Sequence, residues 1–127
     1  MSSELIHLTA AGVSLLLDVG DGRLPRVVHW GAALGDTAVE GVARGSAAPL
    51  VGGELDERHA VSLLPEESWG WLHTPGLSGS RAGRDSFTRF FVTSVESSGV
   101  GEGDGAVQRV TVHAADAVAQ LALTVTI

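Results

Sequence analysis

A chain of 127 residues, 44% hydrophobic and 18% charged, is long enough for one domain with a buried core and too apolar to remain disordered. Its formal net charge of −7, with eight arginines scattered along the chain and no lysine, argues against a nucleic-acid surface, because tracking phosphates requires clustered cations. The absence of cysteine removes disulfides, thiolate nucleophiles and zinc-thiolate sites, and fits a reducing compartment.

The N-terminal residues carry Glu4 and no basic region, and the apolar run from Val13 to Leu17 is broken by Ser14 and ends at Asp18. Neither a signal peptide nor a membrane span is expected. Leu5 to Thr9 and Val13 to Val19 are β-prone runs parted by Ala11-Gly12, and Gly20-Asp21-Gly22 turns the chain after the second. A third strand follows from Arg26 to Gly31, where simple alternation places Val28 and Trp30 on one face and Val27 and His29 on the other. From Gly31 to Arg58 the composition turns to Ala, Gly and scattered acids. A short helical turn between Asp36 and Ala43 is the one element predicted in this long excursion.

Ser62 to Arg81, SLLPEESWGWLHTPGLSGSR, concentrates the chemistry of the chain: two adjacent glutamates, two tryptophans around Gly70, two prolines and an arginine. It reads as an ordered loop. Beyond it, Phe87 to Glu96 is predicted as a strand covered on both faces. A glycine-rich hairpin tip, Gly99 to Gly105, leads to a strand from Val107 to Ala114 and a turn at Ala115-Asp116. The last run puts Leu121, Leu123, Val125 and Ile127 on one face of a half-buried strand. It stops at Ile127 without a polar segment, so a piece of a longer protein is expected, the alternative being a terminal strand tucked into a sheet.

Glu66 and Glu67 do not form a catalytic pair, because neighbours on an extended backbone point to opposite faces whereas glycosidase carboxylates converge across one bond. The plainer expectation is that one of them bonds backbone or solvent in the loop. Trp69 and Trp71, one residue apart, would present their rings on one side of an extended segment, as a sugar-stacking platform needs, although core packing or a subunit contact explains them equally well. Arg81 offers a forked donor pair to a carboxylate or to sugar hydroxyls; a salt bridge pinning the loop is its ordinary alternative. The five histidines, His7, His29, His59, His73 and His113, never fall at metal-ligand spacing, and neither a metal nor a cofactor is expected. Gly99 to Gly105 lacks the lysine of a phosphate loop, and Gly76-Leu77-Ser78-Gly79-Ser80 lacks the last glycine of a serine-hydrolase elbow.

Two stretches together carry a family resemblance. Leu24-Pro25-Arg26-Val27-Val28-His29-Trp30-Gly31-Ala32-Ala33-Leu34-Gly35 and Ser62-Leu63-Leu64-Pro65-Glu66, with Gly70-Trp71, Pro75-Gly76-Leu77, Gly79 and Arg81, resemble the N-terminal domain of family 36 α-galactosidases of actinobacterial type. The similarity extends into Ala114-Ala115-Asp116 and Leu121-Ala122-Leu123-Thr124.

The resemblance implies an all-β fold, an antiparallel β-sandwich forming the first part of a supersandwich of the galactose mutarotase-like kind. Residues 1–127 would then be a partial N-terminal domain ahead of a (β/α)8 catalytic barrel that this chain does not contain. It further implies an intracellular, homo-oligomeric enzyme releasing terminal α-galactosyl groups from oligosaccharides by retaining double displacement, with two barrel aspartates in the catalytic roles. No catalytic residue is assigned in this chain. Trp71 and Arg81, with Trp69 beside them, become the candidates for substrate or interface contact. Ser80 and Trp69 depart from the family pattern, which has a histidine and a smaller residue there. The competing readings are a free-standing carbohydrate-binding or scaffold module, and a mutarotase-like enzyme that would need His29 or His113 to converge with Glu66.

Overall fold

The computed structural model describes residues 4–47, 61–100 and 107–127. Among the described residues six strands form two antiparallel three-stranded sheets, ordered β1-β2-β3 and β4-β5-β6, accompanied by one α-helix. The expected all-β, sandwich-like architecture is what the chain adopts. No helix among the described residues is long and apolar enough to cross a membrane.

In the first sheet, β1 (Leu5–Ala10) and β2 (Val13–Asp18) pair through a tight turn, and β2 pairs with β3 (Arg26–Ala32). The register shifts between Leu16 and Leu17, with Leu16 opposite His29 and Leu17 opposite Val27, and both leucines are fully buried. Val28 is thereby left as the extra residue on β3. The bulge interrupts the simple alternation expected along this strand; Val28 is half-buried and Trp30 is 77% exposed.

The excursion after β3 contains a ten-residue helix, α1 (Asp36–Gly45), longer than the predicted turn. Ala38, Val39, Val42 and Ala43 make its half-buried stripe, a spacing of four repeated twice. Asp36 in the first turn and Arg44 in the last complement the helix dipole, while Gly35 at the N-cap supplies no side-chain bond. The remainder of that excursion lies outside the described residues.

In the second sheet, β4 (Phe91–Val100), β5 (Val107–Asp116) and β6 (Leu121–Thr126) form a meander. The predicted hairpin between β4 and β5 is present in register, with its tip, 101–106, outside the described residues. Three boundaries differ from expectation. The strand predicted from Phe87 to Glu96 runs from Phe91 to Val100, and β5 runs on through Asp116, so the turn is Ala117 to Gln120. Val110, Val112 and Ala114 alternate inward along β5 and are buried, while β4 is largely exposed on one side and not covered on both. In β6 Leu123 and Val125 are half-buried as expected, with Leu121 39% exposed.

The sheets are joined where the β2–β3 connection meets the approach to β4. Leu24, Phe90 and Ala114 form a buried cluster with Leu64 and Leu123 packed on it. Backbone bonds stitch the same region, from Leu63 N to Pro25 O at 2.8 Å and from Val92 N to Gly22 O at 2.8 Å. Gly76 closes the loop of residues 62–81 onto this layer. Its amide donates to Pro65 O at 2.8 Å, and a Cβ built there would lie 2.6 Å from Leu64 Cα and 2.9 Å from its carbonyl carbon. Backbone atoms cannot rotate away, so Gly76→Ala is expected to cost about 1 to 3 kcal/mol. Thermal unfolding checks this, and an unchanged midpoint would contradict the close approach.

Candidate functional site

The loop expected to carry function is positioned by two buried carboxylates. Glu66 is 5% exposed and its Oε1 accepts the Phe90 amide at 2.8 Å. Asp116, at the end of β5 and 3% exposed, accepts the Arg89 amide at 2.7 Å through Oδ2 and the Val118 and Ala119 amides at 2.9 Å through Oδ1. Consecutive amides just ahead of β4 are therefore gripped from two sides. Ser68 adds a third hold, its Oγ donating to Thr88 O at 2.6 Å. Of the two adjacent glutamates, one bonds backbone as expected and Glu67 is exposed.

Burial raises the Glu66 pKa above the ordinary value, opposed chiefly by the Phe90 amide, with the negative Asp116 nearby adding to the rise. For Asp116 burial also works upward, but the amides of Ala119, Arg89 and Val118 outweigh it and hold the pKa below the ordinary value. The signs of the pH linkage are therefore opposite. A raised folded pKa means that Glu66 favours the folded state below about 4.5, its ordinary value, and that this contribution is lost as pH rises through the folded value. Glu66→Gln keeps the acceptor for Phe90 and removes the buried charge. Stability at neutral pH should stay within about 1 kcal/mol of wild type or rise, and its dependence on pH above 4.5 should flatten. Urea titrations across that range provide the check; a steeper profile would show that the charge is needed.

The tryptophans do not form a shared platform. Glu67–Trp69 is a single 3-10 turn, which ends the extended geometry that would align the rings. Trp69 lies half-buried with the Arg23 guanidinium 3.8 Å and the Arg89 guanidinium 4.1 Å from its ring centroid. Two cations that close to one ring cannot share a face, so the indole is sandwiched between them. Phe91 meets the same ring edge-on at 5.6 Å. The buried Nε1 of Trp69 finds no hydrogen-bond partner among the described residues. Trp71 instead donates through Nε1 to Thr74 O at 2.9 Å and packs edge-on against His73 at 5.2 Å.

Both rings nevertheless border one cleft, together with Arg23, Arg26, Pro65 and Glu66. It encloses about 40 Å³, room for ordered water and far below the ~300 to 1,000 Å³ of ligand clefts. Arg26 is tied within it to Asp18, Nη2 to Oδ2 at 3.1 Å. Arg81 is not among the lining residues. It sits exposed on a hairpin with Arg84, and its guanidinium makes no hydrogen bond or ion pair with a described residue. The salt bridge considered for it is therefore not formed with any described residue.

The histidines considered for a mutarotase-like site are occupied elsewhere: His29 Nε2 lies 3.0 Å from Ala32 O, and His113 Nδ1 lies 3.1 Å from Thr124 Oγ1. Neither is hydrogen-bonded to Glu66. His59 lies outside the described residues. Among the described residues no group of three or more histidine or carboxylate side chains is placed to hold a metal ion. Residues that sequence reasoning overlooked are Arg23, Arg89 and Asp116. Only Asp116 left a local signal, an aspartate opening a turn whose amides it bonds.

Fold and site together define a small β-sandwich domain whose polar and aromatic groups gather in the loops joining the sheets. The glycosyl hydrolase family 36 N-terminal domain model matches residues 23–127, and the chain belongs to this family. No curated protein and no solved structure matches it.

Proposed function

We propose that this domain is the N-terminal part of an α-galactosidase that removes terminal α-galactosyl groups from oligosaccharides with retention of configuration. The observation that carries this reading is the family match across residues 23–127. Chemistry in this proposal belongs to a (β/α)8 barrel elsewhere in the parent protein, with two aspartates as nucleophile and acid/base. The domain contributes packing, homo-oligomer contacts and the rim of a substrate pocket, through Trp71 and Arg81, with Trp69 buttressing the loop from beneath. The small size of the cleft beside Trp71 agrees with a rim in preference to a complete sugar site. A cysteine-free chain suits the cytoplasm, where we place the enzyme.

Assaying the intact parent protein with melibiose, raffinose and a chromogenic α-galactoside tests the activity. Turnover with retained anomeric configuration is expected, whereas hydrolysis confined to other glycosides, or none, refutes it. The isolated chain should show only background hydrolysis; measurable turnover by it would overturn the assignment of chemistry to the barrel.

A further inference from the structure

The chain passes from β3 to α1 through Ala33, Leu34 and Gly35, and the N-cap glycine brings no side chain to bond the segment. The sheet supplies the hold instead. Ala33 N donates to Gly12 O at 2.9 Å, and Leu34 N donates to the side-chain Oγ of Ser14 at 2.9 Å. Ser14, on the central strand β2, is fully buried, and His7 Nε2 on β1 lies 2.8 Å from the same oxygen. Pairing of Thr9 with Ser14 and of His7 with Leu16 sets the His7 and Ser14 side chains diagonally on one face of the sheet.

Hydrogen-bond accounting decides which way this contact runs. A serine hydroxyl has one proton to donate and two lone pairs to accept with, and Leu34 fills one of the pairs. If Ser14 donates to Nε2, its proton and the Leu34 amide are both satisfied by contacts already in place. If His7 donated, the hydroxyl proton would need a further acceptor in a site closed to water, or stay unpaired at a cost. An Nε2 that accepts carries no proton, so the neutral ring holds its proton on Nδ1.

We propose that His7, Ser14 and Leu34 form a proton-sensitive tie: neutral His7 accepts the Ser14 hydroxyl, Ser14 holds the Leu34 amide, and a second proton on the ring loosens the entry of α1. A doubly protonated imidazole has two donors and no acceptor. The Ser14 hydroxyl then loses its partner, so the tie is made while His7 is neutral and weakens as acid charges it. On the same sheet face the register places His29, whose Nε2 lies 3.0 Å from Ala32 O, and Asp18 and Arg26, bonded to each other at 3.1 Å. Asp36 opens α1 and Arg109 lies on β5, both exposed, and β5 reaches β1 through the neutral Gln108, whose Oε1 accepts Thr9 N at 2.6 Å. At its far end α1 rests on Arg26, whose Nη1 donates to Ser46 O at 3.4 Å and which lines the cleft beside Trp71. The tie thus anchors one end of a helix whose other end meets the candidate site. It does not depend on α-galactoside hydrolysis.

Two measurements on the intact protein test it. In nitrogen NMR of histidine-labelled protein at neutral pH, the His7 ring, identified by its loss in His7→Gln, should show a protonated Nδ1 and a bare Nε2; the opposite pattern overturns the proposal. Amide hydrogen exchange at Leu34 supplies the second. Glutamine keeps an acceptor and does not titrate, so His7→Gln is the reference at each pH, and the intrinsic exchange rate cancels in the comparison. In acid, Leu34 should exchange roughly tenfold faster in the wild type than in His7→Gln, with no difference at neutral pH. His7→Phe, which has no acceptor, should show the faster exchange at both. Val110 N, bonded to Ile127 O at 2.9 Å in the other sheet, should stay protected throughout and so report that each variant is folded. Equal exchange of wild type and His7→Gln in acid, or a Leu34 amide as protected in His7→Phe as in wild type at neutral pH, would overturn the proposal. So would a wild type in which Val110 opens in step with Leu34, because the whole domain and not the tie would then be yielding.

Discussion

Asp116→Ala is expected to lower stability by about 3 kcal/mol or more, the largest effect of any single polar substitution in this domain. The carboxylate accepts three backbone amides, those of Arg89, Val118 and Ala119, and all three lose their acceptor together. Leaving a buried donor unpaired costs about 1 to 3 kcal/mol, and the Ala119 amide, belonging to a residue that is 3% exposed, has little access to compensating water. Set against the ~5 to 15 kcal/mol that holds a typical domain, the loss should shift the urea midpoint by a large fraction.

The same residue sets an acid limb. Its folded pKa lies below the ordinary value of 3.8, so its contribution is present above that value and is lost as pH falls through the folded one. Asp116→Asn should flatten this limb while retaining part of the neutral-pH stability, because one acceptor oxygen remains. A near-neutral Asp116→Ala would show that the turn after β5 holds itself without the carboxylate.

Phe90→Ala is expected to cost about 3 to 5 kcal/mol. The ring is 2% exposed and sits among Leu24, Ala114, Leu64 and Leu123, where the two sheets and the loop of residues 62–81 converge. No single neighbour can collapse into the space, since each belongs to a different segment. Phe91→Ala is the matched comparison: that ring is 49% exposed and touches Trp69 edge-on, so its loss should cost clearly less. Chemical unfolding of both variants measures the difference. Equal costs would place the core boundary elsewhere.

These contrasts mark how far the residue pattern could be followed. Strands β1, β2, β5 and β6 were legible because alternation and turn residues are local signals, and the two-fold period along Val110, Val112 and Ala114 needs no distant partner to be seen. The break in alternation along β3 was not legible because a bulge is a property of a strand pair. The extra residue on β3 is defined only by its register against Leu16 and Leu17. The tryptophans failed as a platform for a related reason. Their relative orientation depends on a 3-10 turn fixed by Glu66 and by Ser68 on the segment ahead of β4, twenty or more residues away in the chain.

The sequence by itself determined an all-β domain, its glycine-punctuated meanders, the loop from Ser62 to Arg81 as its distinctive segment, and membership of the family that this loop signals. All of these rest on short-range periodicity and on residue types at fixed spacing. Only the tertiary structure decided that Glu66 is a buried acceptor, that Asp116 shares its task, that Trp69 is clasped by Arg23 and Arg89, and that Arg81 stands beside Arg84. Burial, like-charge approach and hydrogen bonding across 24 or 27 residues are set by chain closure in three dimensions, and no local pattern encodes them.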